Sequence, residues 1–200
     1  ENFNLLQKIG GIFEERDKSV YPKAKVVIPA GNYYGDGAHA ILDIYRSNPS
    51  YPEMWNNTTI DFEDGAVVTG PRSLWIDGDI KGLKINNFNG VGTFEISYNS
   101  QGLDVQFTGK TQIAGGTYVK TATGDMINTL NSMAGDMNGA HALFAQEENT
   151  ANIVFDDLVI NSGFLRFEYA SGVTIKNYTA LNQVSDPVQF DSWSVNVDIE

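Results

Sequence analysis

The chain has 200 residues, of which 42% are hydrophobic, 12% aromatic and 19% charged, with 20 glycines. That composition supports a substantial ordered core and excludes an intrinsically disordered chain. The formal net charge of −12, with 13 Lys and Arg scattered along the sequence, argues against nucleic acid or an anionic membrane surface as a partner. Cysteine is absent, which removes disulfides, thiolate metal sites and a cysteine nucleophile. No apolar run approaches the roughly 20 residues needed to span a bilayer.

Taken in chain order, Phe3, Leu5, Leu6 and Ile9, continuing to Ile12 and Phe13, recur at helical spacing and predict a short amphipathic capping helix. Lys25 to Ile28 is a β-branched strand stopped by Pro29 and a turn at Gly31. Residues 36–56 carry Tyr45, Pro49, Tyr51, Pro52 and Trp55 without clear periodicity and predict an irregular excursion. The expected division is therefore 1–56 as helix, first strand and excursion, and 57–200 as a repeat.

The repeat consists of apolar–x–apolar segments. They are Ile60-Asp61-Phe62, Leu83-Lys84-Ile85, Leu103-Asp104-Val105, Ile153-Val154-Phe155, Val173-Thr174-Ile175 and Val195-Asn196-Val197. Their second apolar residues recur at about 20 to 23 residues, with one interval of about 50 that predicts an extra turn, for which Met126-Ile127 offers a rung. Short strands separated by Asn and Gly turns, with no amphipathic helix between them, are incompatible with a βαβ sheet. A period near 22 fits a right-handed parallel β-helix, an all-β solenoid with coils of about 20–25 residues, with an ordinary β-sandwich as the rival fold. Gly115-Gly116 and the Gly35 to Gly37 stretch read as turns, not phosphate loops, because no helix with a basic residue follows. Asn196 to Glu200 reads as a strand in progress, so further coils are expected to follow, or a homotrimer to form.

The phrase Val26-Val27-Ile28-Pro29-Ala30-Gly31-Asn32-Tyr33, after a short helix and before irregular rungs, resembles the entry to the pectate-lyase-like superfamily. That group includes pectate lyases, polygalacturonase-type hydrolases, alginate-acting enzymes and phage tailspike depolymerases. The resemblance implies an extracellular or virion-borne protein that binds or cleaves a polysaccharide and needs no cofactor. Asn99-Ser100-Gln101-Gly102-Leu103-Asp104-Val105 is similar to the catalytic phrase of the polygalacturonase-type hydrolases, but the family's first catalytic Asp falls on Gln101, which is no acid or base. Its Asp pair and Gly-His-Gly would fall on Asp156-Asp157 and Gly139-Ala140-His141, in the wrong order. Polygalacturonase chemistry is therefore not expected.

Stacking places equivalent positions of successive coils side by side. Superposing Ala142-Leu143-Phe144, Leu165-Arg166-Phe167 and Val188-Gln189-Phe190 makes Glu168 and Asp191 neighbours, with Asp186 in the preceding turn. Two adjacent carboxylates disfavour joint ionisation, which suits glycosidic-bond hydrolysis; these three are the candidate catalytic residues. Arg166, Tyr169, Trp193 and His141 are the candidate substrate-binding residues, and Arg166 with Tyr169 leaves a lyase open. A surface ion pair between Arg166 and Glu168, or a non-catalytic adhesin or stalk, is the rival reading. No metal site is expected, because neither calcium-loop spacing nor a histidine pair is present.

Overall fold

The computed structural model describes residues 20, 22–35, 42–45, 55–97, 99–183 and 185–200. The amphipathic segment 3–13 lies outside the described residues, as does most of the 36–56 excursion. Strand dominates what is described: fifteen strands, two helices and one 3-10 turn. The all-β expectation holds.

Every strand pairing recorded among the described residues is parallel, and the pairings sort into three ladders. The first joins β1 (Ala24–Ile28), β4 (Thr58–Phe62), β6 (Leu83–Asn86), the start of β8 (Asp104–Ala114), the start of β10 (Asn152–Asn161), β12 (Ser171–Ile175) and β15 (Val195–Ile199). The second joins β2 (Gly31–Tyr34), the start of β5 (Ala66–Asp77), the start of β7 (Asn89–Ile96), the ends of β8 and β10, and β13 (Tyr178–Leu181). The third joins β3 (Leu42–Tyr45), the ends of β5 and β7, β9 (Thr117–Val119), β11 (Leu165–Phe167) and β14 (Val188–Phe190). The chain visits the three ladders in the same order on each pass. β3 falls inside the segment read as irregular and pairs with β5 like any other rung.

Alternation within each strand drives this arrangement, because period 2 sends every second side chain inward. In the first ladder Ile60, Ile85, Phe107, Phe155 and Ile175 are register partners in turn and all are fully buried. Aromatic rings continue the column across the core: Phe107 stacks on Phe155 at 4.4 Å, and Phe94 lies 5.4 Å from Phe107. Such pairs add about 0.5–1.5 kcal/mol each beyond the burial of their area.

Three sequence readings are corrected here. The interval of about 50 residues is one pass, not two, because β8 pairs directly with β10. Its surplus folds into two short helices, Gly124–Ser132 and Met137–Phe144, so Met126-Ile127 is no rung. Thr123 caps the first helix, accepting a hydrogen bond from the Met126 amide, and Asp136 caps the second. Ala142-Leu143-Phe144 is likewise helical, and the segment that precedes Leu165-Arg166-Phe167 in its ladder is Thr117-Tyr118-Val119. Finally, Ile60 pairs with Ile85, Leu83 with Val105 and Val173 with Val197, so three of the repeat segments, at 60–62, 103–105 and 195–197, sit two residues out of true register.

The insertion helices bury Ala122, Leu130, Ala140, Phe144 and Trp193 in a second cluster outside the main core, with Tyr169 packed against it. Where the second ladder turns into the third, Gly92 (φ 117°), Gly115 and Gly163 follow one another on successive passes. A Cβ on Gly92 would meet the Gly70 carbonyl oxygen, and one on Gly163 the Gly115 carbonyl oxygen. The backbones there are too close for any side chain, which is why glycine recurs.

The outward faces of the ladders differ in chemistry. The first carries Lys25, Asp61, Asp156 and Lys176, paired as Lys25–Asp61 and Lys176–Asp156, each at 2.8 Å. The third also carries charges, described below. The second has one outward column of Tyr34, Thr69, Val91, Ala114, Asn161 and Leu181, each the register partner of the next. Beside it, Asn32 pairs with Val67, and Asn89, Gln112, Val159 and Thr179 continue in register.

Candidate functional site

The outward row of the third ladder runs Trp75, Glu95, Tyr118, Arg166 and Gln189, each opposite the next. At its start the side chains form a closed network. The Arg72 guanidinium lies 5.2 Å above the Trp75 ring and 3.3 Å from the Glu95 carboxylate. The Trp75 indole donates to Ser97 Oγ at 3.1 Å, and Ser97 Oγ donates to Glu95 Oε1 at 2.9 Å. These contacts hold the tryptophan ring and the carboxylate in one orientation.

Where β5 ends, the chain turns back toward the first ladder and opens a cleft of about 630 Å³. Its floor comes from Asp77, Asp79 and Lys81 on one pass and from Asn99, Gln101 and Gly102 on the next; Thr123 and Glu148, at the two roots of the helical insertion, form its wall. Burial holds the Asp77 carboxyl in its protonated form up to about 6, helped by the nearby Asp43 charge. Two further contacts fix the cleft's shape. Lys81 Nζ donates to the Gly102 carbonyl. Gln101 Nε2 donates to Glu148 O at 2.8 Å and to Asn149 Oδ1 at 2.6 Å. Gln101, at the position of the catalytic aspartate in the resembling phrase, thus ties the insertion to the stack.

The structure places the sequence-predicted residues three and four passes beyond Asp77 along the same ladder. Arg166 and Gln189 are register partners, and the alignment of Leu165–Phe167 with Val188–Phe190 is as expected, so Glu168 and Asp191 follow side by side. Their surroundings differ from each other. Glu168 Oε1 lies 2.6 Å from Arg166 Nε in an ion pair open to solvent. The Asp191 carboxylate accepts the amides of Tyr169 and Trp193, each at 3.2 Å to Oδ1, and the Ser194 hydroxyl at 3.1 Å; it organises a turn. Asp186 is exposed in the segment leading into β14.

His141, Tyr169 and Trp193 do come together, as the seat of the insertion helices. Trp193 is only 9% exposed, its ring stacked parallel to Tyr169 and edge-on to His141, both at 6.3 Å. His141 Nε2 is 2.7 Å from Ser192 O, and the Tyr169 hydroxyl donates to Asn131 Oδ1. These aromatic faces meet protein.

Sequence reasoning missed Asp77 and Asp79. The available signal was Trp75-Ile76-Asp77-Gly78-Asp79, an outward tryptophan and an outward aspartate two residues apart at a strand end, followed by a glycine turn. Among the described residues no group of three or more His, Asp or Glu side chains is placed to hold a metal ion. No described helix is long and apolar enough to cross a membrane. No family model, curated protein or solved structure matches this chain.

Proposed function

We propose that the chain is a right-handed parallel β-helix of the pectate-lyase-like kind, extracellular or virion-borne, that binds a polysaccharide along its third ladder and cleaves it at the Asp77 cleft. The observation that carries this reading is the cleft itself: a carboxyl held protonated to about 6, facing a space large enough for sugar residues and adjoining the Trp75–Tyr118 row. Sugar rings pack their C–H faces on such aromatic rings, and the Arg72 and Glu95 heads beside Trp75 supply hydrogen bonds to hydroxyls.

In hydrolysis, Asp77 gives its proton to the glycosidic oxygen as the bond to the anomeric carbon breaks. Water adds its hydroxide to that carbon and surrenders its remaining proton to a second carboxylate, with Asp79 and Glu148 lining the same cleft. The raised affinity of Asp77 for its proton is what suits it to the donor role near neutral pH.

The test is an assay for new reducing ends and for unsaturated products over a panel of capsular, wall and plant polysaccharides. Asp77→Asn should lower cleavage by roughly 100-fold or more while glycan binding persists. Ultraviolet-absorbing products would make the reaction a lyase. Loss on Glu168→Gln with Asp77→Asn unaffected would move the chemistry to the Arg166–Glu168 pair, and binding without cleavage by the wild type would make the protein an adhesin.

A further inference from the structure

Among the described residues, the cations of the third ladder and its cleft are all engaged by groups of the chain itself. Arg72 lies 3.3 Å from the Glu95 carboxylate, with its guanidinium above the Trp75 ring. Arg166 lies 2.6 Å from Glu168. Lys120, just after β9, holds its ammonium 5.8 Å from the centre of the Tyr169 ring, and Lys81 donates to the Gly102 carbonyl. In the cleft the carboxyls outnumber the cations, with Asp77, Asp79 and Glu148 set against Lys81 alone.

A polyanionic glycan has two ways to settle on such a surface. It can leave the ion pairs intact and lie against the surplus carboxylates of a chain whose net charge is −12. Or it can take over Arg72 or Arg166, which leaves Glu95 or Glu168 without its partner beside the ligand's own charge. A polycation fares no better along the row, where Arg72, Lys120 and Arg166 stand on successive stretches of the ladder. Sugar hydroxyls are indifferent to sign. They donate to a carboxylate and accept from a guanidinium, so each closed pair offers an uncharged sugar both functions at once. Uncharged sugars also decide between the two cleavage chemistries. Elimination removes the ring proton beside a uronate carboxyl, which spreads the charge left on carbon, and a neutral sugar has no such group. Its bond is then broken by water: the anomeric carbon gains a hydroxyl and the departing oxygen gains a proton.

We propose that the polysaccharide of the Asp77 cleft is a neutral one, cut by hydrolysis alone; the inference rests on the reading of that cleft as a glycan site. The test follows binding by affinity electrophoresis, and release of reducing ends, at low and high salt. The probes are neutral glucans, mannans and galactans, each beside its carboxymethylated derivative, with polyuronates and deacetylated chitin. A neutral glycan should be bound and cut with no ultraviolet-absorbing product. Its carboxymethylated form should bind at least about tenfold more weakly at low salt, and the gap should narrow as salt rises. Glu168→Gln, which releases Arg166, should recover roughly threefold or more of that loss and leave binding of the neutral parent unchanged. A polyuronate or the amino polymer bound better than every neutral glycan, with cleavage still lost in Asp77→Asn, overturns the proposal while the cleft reading stands. So does a carboxymethylated form that binds as well as its parent at low salt, or a loss that neither salt nor Glu168→Gln reduces. Silence from every polymer removes the cleft reading and this inference together.

Discussion

Replacing Gly92 by alanine puts a single methyl group where the structure has no room for it. The added Cβ would run into the carbonyl oxygen of Gly70 on the preceding pass, with the Gly70 carbonyl carbon 3.0 Å away and the Pro71 carbonyl carbon 3.4 Å away. Neither obstacle is the end of a flexible side chain. Gly92 also sits at φ 117°, a region that costs other residues about 1–3 kcal/mol. Relieving the overlap means separating two hydrogen-bonded passes, and overpacking of that kind costs about 1–3 kcal/mol more. The sum is about 2–6 kcal/mol, or on the order of 10 °C in Tm for a chain of this length. Thermal and urea melts followed by circular dichroism measure it directly. Gly135→Ala is the matched control, because its Cβ would meet nothing within 4 Å. Should the two variants melt together, the close approach of the backbones at this corner is not what glycine is there to permit.

Three further outcomes are expected. Asp77 has its carboxyl pKa raised from 3.8 to about 6, so the native state holds a proton that the unfolded chain releases, and stability falls as pH rises through that window; after allowance for solvent screening, Asp77→Asn should remove a loss on the order of 1 kcal/mol between pH 4 and pH 7 in urea melts. Asp191→Ala strips three donors of their acceptor and should cost about 1–3 kcal/mol, whereas Glu168→Gln, which breaks only a solvent-open ion pair, should stay within about 0.5 kcal/mol in the same melts. Trp193→Ala removes the seat of the insertion helices, and limited proteolysis should then cut within 124–149 at least about tenfold faster than in the wild type while the ladders stay protected.

Much of the stack was legible because burial repeats with period 2 within a strand and near 22 between strands. The pairing of Leu165–Phe167 with Val188–Phe190 followed from that pattern alone. The true partners of Leu103-Asp104-Val105 did not, because a slip of two residues leaves every side chain on its own face and erases the signal that would reveal it. The helical insertion was missed for a related reason. Met126, Ile127, Leu143 and Phe144 are apolar at spacings that suit a strand or a helix over so few residues, and the contact that decides between them is with Tyr169 and Trp193, distant in sequence. The same contact occupies two aromatics that read as sugar-binding. Asp77 was illegible as an acid because its raised pKa comes first from burial where β5 ends and then from the charge of Asp43, which a ladder pairing places opposite Trp75.

The insertion leaves and rejoins the stack between strands already locked in register: β8 pairs with β10 along two ladders, and β9 with β11 on the third. Nothing in that framing counts the residues in between. The corner is therefore a natural grafting point, where length and content can change while every rung keeps its neighbour. A foreign segment with closely spaced ends, spliced after Gly135, would ride on the stack as cargo, and two proteins sharing this frame could differ there so widely that comparing them residue by residue would hide their kinship.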